Sequence, residues 1–236
     1  MKASKILEKY KVPFNILSVM NDKTVKKPAE ILDFFRSKGF EHLQFLPAVE
    51  VGENGKKMAS FSPKPRDVGK FWDVIFKEWS NNFPPRFSVR YFESLLGIEM
   101  NQTISFCNIK EKCGSYLVVE HNGDVYPCDF SVEEKMKIGN IKEDSLQEIE
   151  NREKFQKFVK TKKKDFSEKC KSCDFWKYCH GGCQRYRGLP GRDEKKTYLC
   201  EGYKYFLSRN LEKIKEIANK IRRNPFLGYG EVSSRF

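Results

Sequence analysis

The stretch Cys170-Lys-Ser-Cys173-Asp-Phe-Trp-Lys-Tyr-Cys179-His-Gly-Gly-Cys183 places four thiols within fourteen residues. Thiolates at such short spacing are typical ligands of a soft metal or of an iron–sulfur cluster. Gly181 and Gly182 allow the backbone to turn tightly around such a centre. All eight cysteines fall between residues 107 and 200, the others being Cys107, Cys113, Cys128 and Cys200. The sequence therefore predicts a metal-holding second half.

Length and composition indicate a folded chain. The 236 residues are 39% hydrophobic and include twenty Phe, ten Tyr and three Trp, which suits one large domain or two small ones. The amino terminus does not have the pattern of a secretory signal, and no apolar run is long enough to span a bilayer. We therefore expect a cytoplasmic protein with no membrane partner, in which disulfides are the less favoured use of the cysteines.

The net charge of +13 and the pI near 9.3 raise the possibility of a nucleic-acid partner. The basic residues are spread along the chain, however, and the densest run, Lys-Thr-Lys-Lys-Lys at 160–164, continues a helical pattern. We interpret this run as the exposed end of a helix. Because no nucleic-acid motif accompanies the charge, a solvated basic face without a nucleic-acid partner is the favoured interpretation.

Helices and strands alternate in the first half. The patterns predict a helix ending near residue 11, strands at 13–20 and 42–49, and helices at 28–39 and 65–79. Both strands are largely apolar, as is typical of parallel strands buried on both faces. Their alternation with helices implies a right-handed crossover. A short strand at 87–92 follows, beyond a boundary near residues 82–85.

Asn122-Gly123 lies between the apolar runs 115–120 and 124–128, which is a strong signal for a β-hairpin. Such a hairpin would bring Cys128, at its far end, beside Cys113. The thiols of Cys107, Cys113 and Cys128 would then meet around one site.

Two helices are predicted after the hairpin. The first covers residues 145–159 and is capped by Asp144 or Ser145. The second is a long closing helix over residues 198–221. Residues 222–236 have no pattern that predicts a structure.

Eight cysteines are the ligand count of two four-thiolate sites, and each site suits either zinc or a cubane iron–sulfur cluster. Zinc ribbons usually pair two Cys-x2-Cys knuckles, whereas this chain has one, at Cys170 and Cys173. The wider spacing Cys107-x5-Cys113-x14-Cys128 suits a bulkier cluster better. Spacing therefore favours iron–sulfur clusters, with zinc as the alternative.

With Cys170-x2-Cys173-x5-Cys179-x3-Cys183-x16-Cys200 added, the pattern resembles the SPASM extension of radical S-adenosylmethionine (SAM) enzymes. Shorter stretches match as well: Asn-Gly-Asp-Val-Tyr-Pro-Cys128-Asp129-Phe, Ile138-Gly-Asn-Ile141 and Cys179-His-Gly-Gly-Cys183. The Tyr-Pro-Cys-Asp-Phe version resembles the anaerobic sulfatase-maturating enzymes in particular. The resemblance covers roughly residues 10 to 220.

The resemblance implies an α/β fold in two parts. Residues 1–84 would be the C-terminal part of a partial (β/α)6 radical SAM barrel, with its two strands as the fifth and sixth of that barrel. Residues 85–206 would form an α+β SPASM domain with a β-hairpin. Residues 207–236 would be the closing helix and tail.

The resemblance also implies two auxiliary [4Fe–4S] clusters. By position, Cys107, Cys113, Cys128 and Cys183 would hold the first, and Cys170, Cys173, Cys179 and Cys200 the second. His180 lies between ligands of both clusters, and because thiols already fill both sites we expect it to be a neighbour of a cluster or exposed.

Two further kinds of site follow from the resemblance. Asp129 matches the family's general base, the alternative being an ordinary turn aspartate. Val19 and Val49 lie toward the carboxyl ends of the two strands, where barrel enzymes bind ligands, and would lie near SAM. Core packing is the alternative for both valines.

In this family, a Cys or Ser of a sulfatase polypeptide is oxidised to formylglycine, and the second electron leaves through the auxiliary clusters. The chain departs from the family because no cysteine precedes Cys107, so the Cys-x3-Cys-x2-Cys motif of the third, SAM-cleaving cluster is absent. We expect full activity from an intact parent, or with a chain that supplies the missing half-barrel. A non-catalytic metal-cluster module that binds a peptide or partner is the alternative, as is another SPASM peptide-modifying enzyme, such as a thioether-forming one.

Overall fold

The computed structural model of the protein describes residues 2–81, 83–164, 166–191 and 195–224. The chain divides into two compact units, one made of residues 1–106 with 199–236 and the other of residues 107–198. These limits differ from the sequence-based boundaries near residues 85 and 206. The difference arises because the closing helix packs, within the first unit, against both the helix at 65–81 and the helix that follows residue 89.

The helices are α1 (Lys2–Lys9), α2 (Pro28–Ser37), α3 (Pro65–Asn81), α4 (Arg90–Glu99), α5 (Leu146–Asn151), α6 (Glu153–Lys164), α7 (Trp176–Cys179) and α8 (Cys200–Arg223). The strands are β1 (Ile16–Met20), β2 (His42–Pro47), β3 (Ser88–Val89), β4 (Val118–Val119), β5 (Asp124–Tyr126) and β6 (Gly139–Asn140). The mixed α/β class expected from the sequence is therefore present. Of the tail that showed no sequence pattern, residues 225–236 lie outside the described residues.

Strands β1, β2 and β3 form a parallel sheet in that order within the described residues of the first unit. One face of β2 is buried through Leu43, Phe45 and Pro47, and the Phe45 ring contacts Phe71 of α3 at a centroid distance of 5.0 Å. On the opposite face Leu17 and Val19 of β1 are 57% and 56% exposed. The expectation that β1 is buried on both faces is wrong, because helices cover one face of this sheet only.

The core of the first unit is aromatic. Trp72 of α3 lies 4.6 Å from the ring of Tyr91 in α4 and 5.4 Å from the ring of Tyr203 in α8. Phe206, one turn further along α8, stacks on Phe92 of α4 at 5.6 Å. Such ring pairs add stabilisation beyond the burial of their area. The three helices thus form one apolar layer.

A buried polar pair fixes the register of α3 against α8. Asp73 and Asn210 are both buried, and the Asn210 amide donates a hydrogen bond of 2.8 Å to the Asp73 carboxylate. Lys77 forms an ion pair of 3.0 Å with the same carboxylate. Burial by itself raises the pKa of Asp73, but the hydrogen bonds from Asn210 and Lys77 outweigh it and hold the pKa below its usual value.

Two sequence-based boundaries are corrected. The strand predicted at 87–92 is limited to Ser88–Val89, and the chain continues as helix α4, whose buried residues include Tyr91, Phe92 and Leu95. The helix predicted at 145–159 is two helices, because Arg152 adopts an extended conformation between α5 and α6. The Arg152 guanidinium donates to the Ile138 carbonyl at 2.8 Å, a tertiary contact that local periodicity does not reveal.

In the second unit, β4, β5 and β6 form an antiparallel sheet in that order among the described residues. Its inner face contributes to a small apolar cluster that includes Val125, Ile138, Ile149 and Phe155. In the same unit, Ser145 caps α5 through a capping box with Glu148. Among all the described residues, no helix combines the length and the hydropathy that crossing a membrane would require.

Helices α3 and α8 approach each other through two glycines, which yields a testable prediction. A Cβ atom added at Gly69 would lie 2.9 Å from the Cα atom of Gly202. We expect Gly69→Ala to lower the free energy of unfolding by about 1–3 kcal/mol, as overpacking does. In an unobstructed helix the same change would instead stabilise by roughly 0.5–1 kcal/mol. Urea denaturation followed by circular dichroism measures the effect.

Gly97→Ala in α4 is the matched control, since its added Cβ would first meet a side-chain methyl group of Ile104 at 3.0 Å, and not backbone. A loss at Gly69 no larger than the loss at Gly97 would contradict the close approach of the two helices.

Candidate metal centre

All eight cysteines lie within the described residues, and each is partly buried and outside any disulfide bond in the structure. Seven of them lie in the second unit, and Cys200 is the first residue of α8 in the first unit. Within the described residues no three Cys, His, Asp or Glu side chains already meet at the distances of a single metal ion. The cysteines therefore remain predicted ligands.

Electrostatic interactions link the four cysteines that are predicted to hold the first cluster. The Cys113 thiol interacts electrostatically with the thiols of Cys107 and Cys128, and the Cys183 thiol with those of Cys107 and Cys113. These cysteines come from four separate segments of the second unit: a 3-10 turn that begins at Cys107, the loop before Gly114, the end of the hairpin and the end of the glycine loop. Sequence spacing alone does not fix such a grouping.

Burial makes these thiols weak acids. Burial raises the pKa of Cys113, and it raises the pKa of Cys128 and of Cys183 to about 11. A thiol in such a place is protonated at neutral pH unless a positively charged metal group displaces the proton. Four soft donors of this kind fit an iron–sulfur cluster.

The hairpin positions Cys128 and Asp129. Strands β4 and β5 pair antiparallel, with Val118 opposite Tyr126. The turn between them is built on Gly123, whose φ of +92° is in the range that favours glycine. The chain then leaves β5 and enters a 3-10 turn at Asp129. Asp129 is therefore held next to a predicted cluster ligand.

Asp129 is exposed, and one of its carboxylate oxygens is fixed. The Oδ1 atom accepts hydrogen bonds from the Tyr116 hydroxyl at 2.8 Å and from the Phe130 backbone amide at 3.1 Å. It also accepts a bond of 3.2 Å from the Cys128 thiol. Within the described residues Oδ2 has no hydrogen-bond partner and is open to a substrate. Sequence reasoning missed Tyr116, although its position at the start of the hairpin was a usable signal.

The loop between Cys179 and Cys183 turns as its glycines suggested. His180, Gly181 and Gly182 all have positive φ, at +46°, +73° and +68°. The His180 ring donates through Nδ1 to the Ile109 carbonyl at 2.9 Å, in the turn that begins at Cys107. His180 thus links two cysteine loops.

Arg187 holds the same loop from the other side. Its guanidinium is buried and donates to the carbonyls of His180 at 3.1 Å, Gly181 at 3.0 Å and Gly182 at 3.3 Å. A further bond of 3.0 Å reaches the Lys162 carbonyl in α6. The sequence did not single out Arg187, because an arginine after a cysteine run carries no specific signal.

Lys162 corrects the interpretation of the lysine run. Residues 160–164 were expected to be an exposed helix end, but Lys162 is 1% exposed. Its Nζ atom donates to the Cys107 carbonyl at 3.0 Å and to the Asn108 carbonyl at 3.1 Å. Burial lowers the pKa of its ammonium group, and the neighbouring thiols counteract this effect in part.

The remaining predicted site residues lie in several separate segments of the chain. Cys170 and Cys173 are joined by a tight turn, with a bond of 3.2 Å from the Cys173 amide to the Cys170 carbonyl, and Cys179 ends α7. Val19 is exposed on the open face of β1, whereas Val49 is buried, with 3% exposure, beyond the end of β2. The structure thus does not give the two valines a common environment.

A known protein family matches part of the second unit. Residues 107–174 match the family model described as SPASM, an iron-sulfur cluster-binding domain. A cysteine-type anaerobic sulfatase-maturating enzyme of Clostridium perfringens is 35% identical over 94% of this chain and 60% of its own length. This chain is a homologue of the anaerobic sulfatase-maturating enzymes. It spans roughly three-fifths of the length of such relatives.

Other similarities point the same way. A serine-type anaerobic sulfatase-maturating enzyme of Bacteroides thetaiotaomicron is 33% identical over 87% of this chain and 54% of its own length. The solved structure of native anSMEcpe with bound AdoMet and Cp18Cys peptide matches with a TM-score of 0.83 and 34% identity. The match covers 93% of this chain and 62% of that one. The protein therefore has the mixed α/β fold of the anaerobic sulfatase-maturating enzymes.

Gly114 provides a test of the packing around Cys113. Its φ is +80°, and an added Cβ would lie 2.5 Å from Val159 and 3.0 Å from Phe155 of α6. We expect Gly114→Ala to be more destabilising than Gly55→Ala by about 1–3 kcal/mol, the range for overpacking. Gly55 has a similar φ of +69° with nothing within 4 Å of an added Cβ, so it isolates the backbone strain. Urea denaturation compares the two, and equal losses would contradict close packing of the Cys113 loop on α6.

Proposed function

We propose that this chain is the C-terminal, SPASM portion of a radical SAM sulfatase maturase. The observation that carries the proposal is the hydrogen bond from the Cys128 thiol to Asp129, in a chain that is 35% identical to a maturase. The electrostatic interactions among the thiols of Cys107, Cys113, Cys128 and Cys183 also support it. The proposed substrate is a Cys or Ser of a sulfatase polypeptide, oxidised to formylglycine.

The proposed cofactors are two auxiliary [4Fe–4S] clusters. The first is assigned to Cys107, Cys113, Cys128 and Cys183. The second is assigned to Cys170, Cys173, Cys179 and Cys200 on the strength of the sequence resemblance. When bound, the clusters would supply a one-electron acceptor fully ligated by protein.

In this proposal Asp129 is the general base. Its Oδ1 atom is occupied by bonds from Tyr116 and Phe130, so the proton of the substrate thiol or hydroxyl would go to Oδ2. Loss of this proton allows the substrate, after a hydrogen atom has left its β-carbon, to give up its second electron. Val19 and Val49 are proposed to lie near SAM, and the exposure of Val19 agrees with that role better than the burial of Val49 does.

The SAM-cleaving step needs residues that this sequence does not contain, since no cysteine precedes Cys107. We propose that an intact parent, or a second chain that supplies the missing half-barrel, provides them. The exposed face of β1, with Leu17 and Val19, supports this proposal.

Metal analysis tests the cofactor assignment. Chains purified without oxygen and reconstituted should contain about eight iron and eight sulfide, with the absorption of cubane clusters. About two zinc ions and no sulfide would overturn the assignment, and would favour the alternative of a structural module that binds a peptide or partner.

Asp129→Asn tests the proposed base. We expect the variant, complemented with the missing half and supplied with SAM, to lose about 10²–10⁴-fold of its peptide oxidation, the usual contribution of a general base. Mass spectrometry of the product peptide measures formylglycine, and SAM cleavage measured in parallel should persist.

Asp174→Asn is the matched control, because Asp174 is an exposed aspartate that directly follows the predicted ligand Cys173. An equal loss in both variants, or full activity of Asp129→Asn, would remove Asp129 from the mechanism.

A further inference from the structure

Lys162 has an unusual position for a lysine. Its side chain is almost completely buried, and its Nζ atom donates to two neutral backbone carbonyls, those of Cys107 and Asn108. Lysines are almost never fully buried unless they are paired. The position therefore requires a partner for the positive charge.

No carboxylate provides that partner. Within the described part of the chain, no Asp or Glu oxygen lies within 4.0 Å of the Lys162 ammonium group. The neighbouring Lys163, in contrast, pairs with Glu111 at 2.7 Å on the surface. Another cation, Arg187, bonds to the Lys162 backbone carbonyl at 3.0 Å. A buried, unpaired ammonium group of this kind is costly.

Lys162 instead lies among the loops that carry the predicted ligands. Its ammonium group contacts the turn that begins at Cys107. The helix is arranged for this contact, because Phe155, Val159 and Lys162 follow one another at spacings of four and three residues. The first two residues of this face pack on Gly114, next to Cys113, and the third presents its charge to the same loops.

We propose that Lys162 is the counter-charge of the cluster assigned to Cys107, Cys113, Cys128 and Cys183, and that it raises the reduction potential of that cluster. The inference rests on the proposed function. Four thiolates around a [4Fe–4S] core make an anion, and one-electron reduction adds a further negative charge. A fixed buried cation stabilises the reduced form more than the oxidised form, since reduction potentials depend on net charge and burial. Lys162 is thus a positioning residue for the electron acceptor and does not touch the substrate.

Three variants of the full chain separate charge from shape. Lys162→Arg keeps the positive charge, whereas Lys162→Gln removes the charge and keeps an amide that can donate to the same carbonyls. Lys160→Gln removes an exposed charge two residues earlier in α6 and serves as the control. Each is reconstituted without oxygen, and its iron and sulfide are counted. A reductive titration followed by electron paramagnetic resonance then gives the midpoint potentials.

We expect the wild type to show two one-electron reductions, one for each cluster. In Lys162→Gln the midpoint potential of one of them should shift. The reduced form of that cluster should become at least tenfold less favoured, which for a one-electron couple is about 59 mV more negative. The other midpoint potential should stay in place, and Lys162→Arg and Lys160→Gln should keep both. If Lys162→Gln folds but fails to take up one cluster that Lys162→Arg retains, the counter-charge role is also supported.

The inference would be overturned if Lys162→Gln kept the wild-type midpoint potentials. It would also be overturned if Lys162→Gln and Lys162→Arg showed the same shift in potential or the same loss of a cluster. The iron and sulfide count of the wild type is independent of these comparisons. A wild type without iron–sulfur clusters would refute the proposed function itself, whereas an intact pair of clusters with unchanged potentials would refute only the role of Lys162.

Discussion

The second unit depends on two buried cations that bind the backbone of its cysteine loops. Loops this irregular lack the hydrogen bonds that helices and sheets provide for their carbonyl groups, and buried carbonyls need partners. Lys162 satisfies the carbonyls of Cys107 and Asn108, and Arg187 satisfies those of the glycine loop. Because Arg187 also bonds to the Lys162 carbonyl, the two cations join both loops to α6.

The two units are stabilised in different ways. In the first unit, α3, α4 and α8 enclose an aromatic core around Trp72, and the buried pair of Asp73 and Asn210 aligns two of the helices. In the second unit the apolar cluster around Val125 and Phe155 is small, and all seven of its cysteines are only partly buried. A unit of the second kind gains stability from a bound metal centre, since metal binding and folding are coupled.

Much of the architecture was accessible from sequence. Asn122-Gly123 predicted the hairpin position, periodicity predicted α2, α3 and α8 to within a few residues, and the cysteine spacing led to the homologous group that the comparisons support. Local patterns failed where a tertiary contact decided the outcome. The break at Arg152 depends on its bond to Ile138, and helix α4 depends on burial against α3 and α8.

The sequence by itself determined the chemical groups available to this protein: eight thiols, a carboxylate next to one of them, and the glycines that allow tight turns. The tertiary structure decided which groups meet. It fixed Oδ1 of Asp129 through Tyr116, joined the turn at Cys107 to α6, and buried a lysine from a run that looked solvent-exposed. The reason is that spacing along the chain reports only local geometry. The electrostatic environment of a site is set by groups far apart in sequence, such as Cys107 and Lys162.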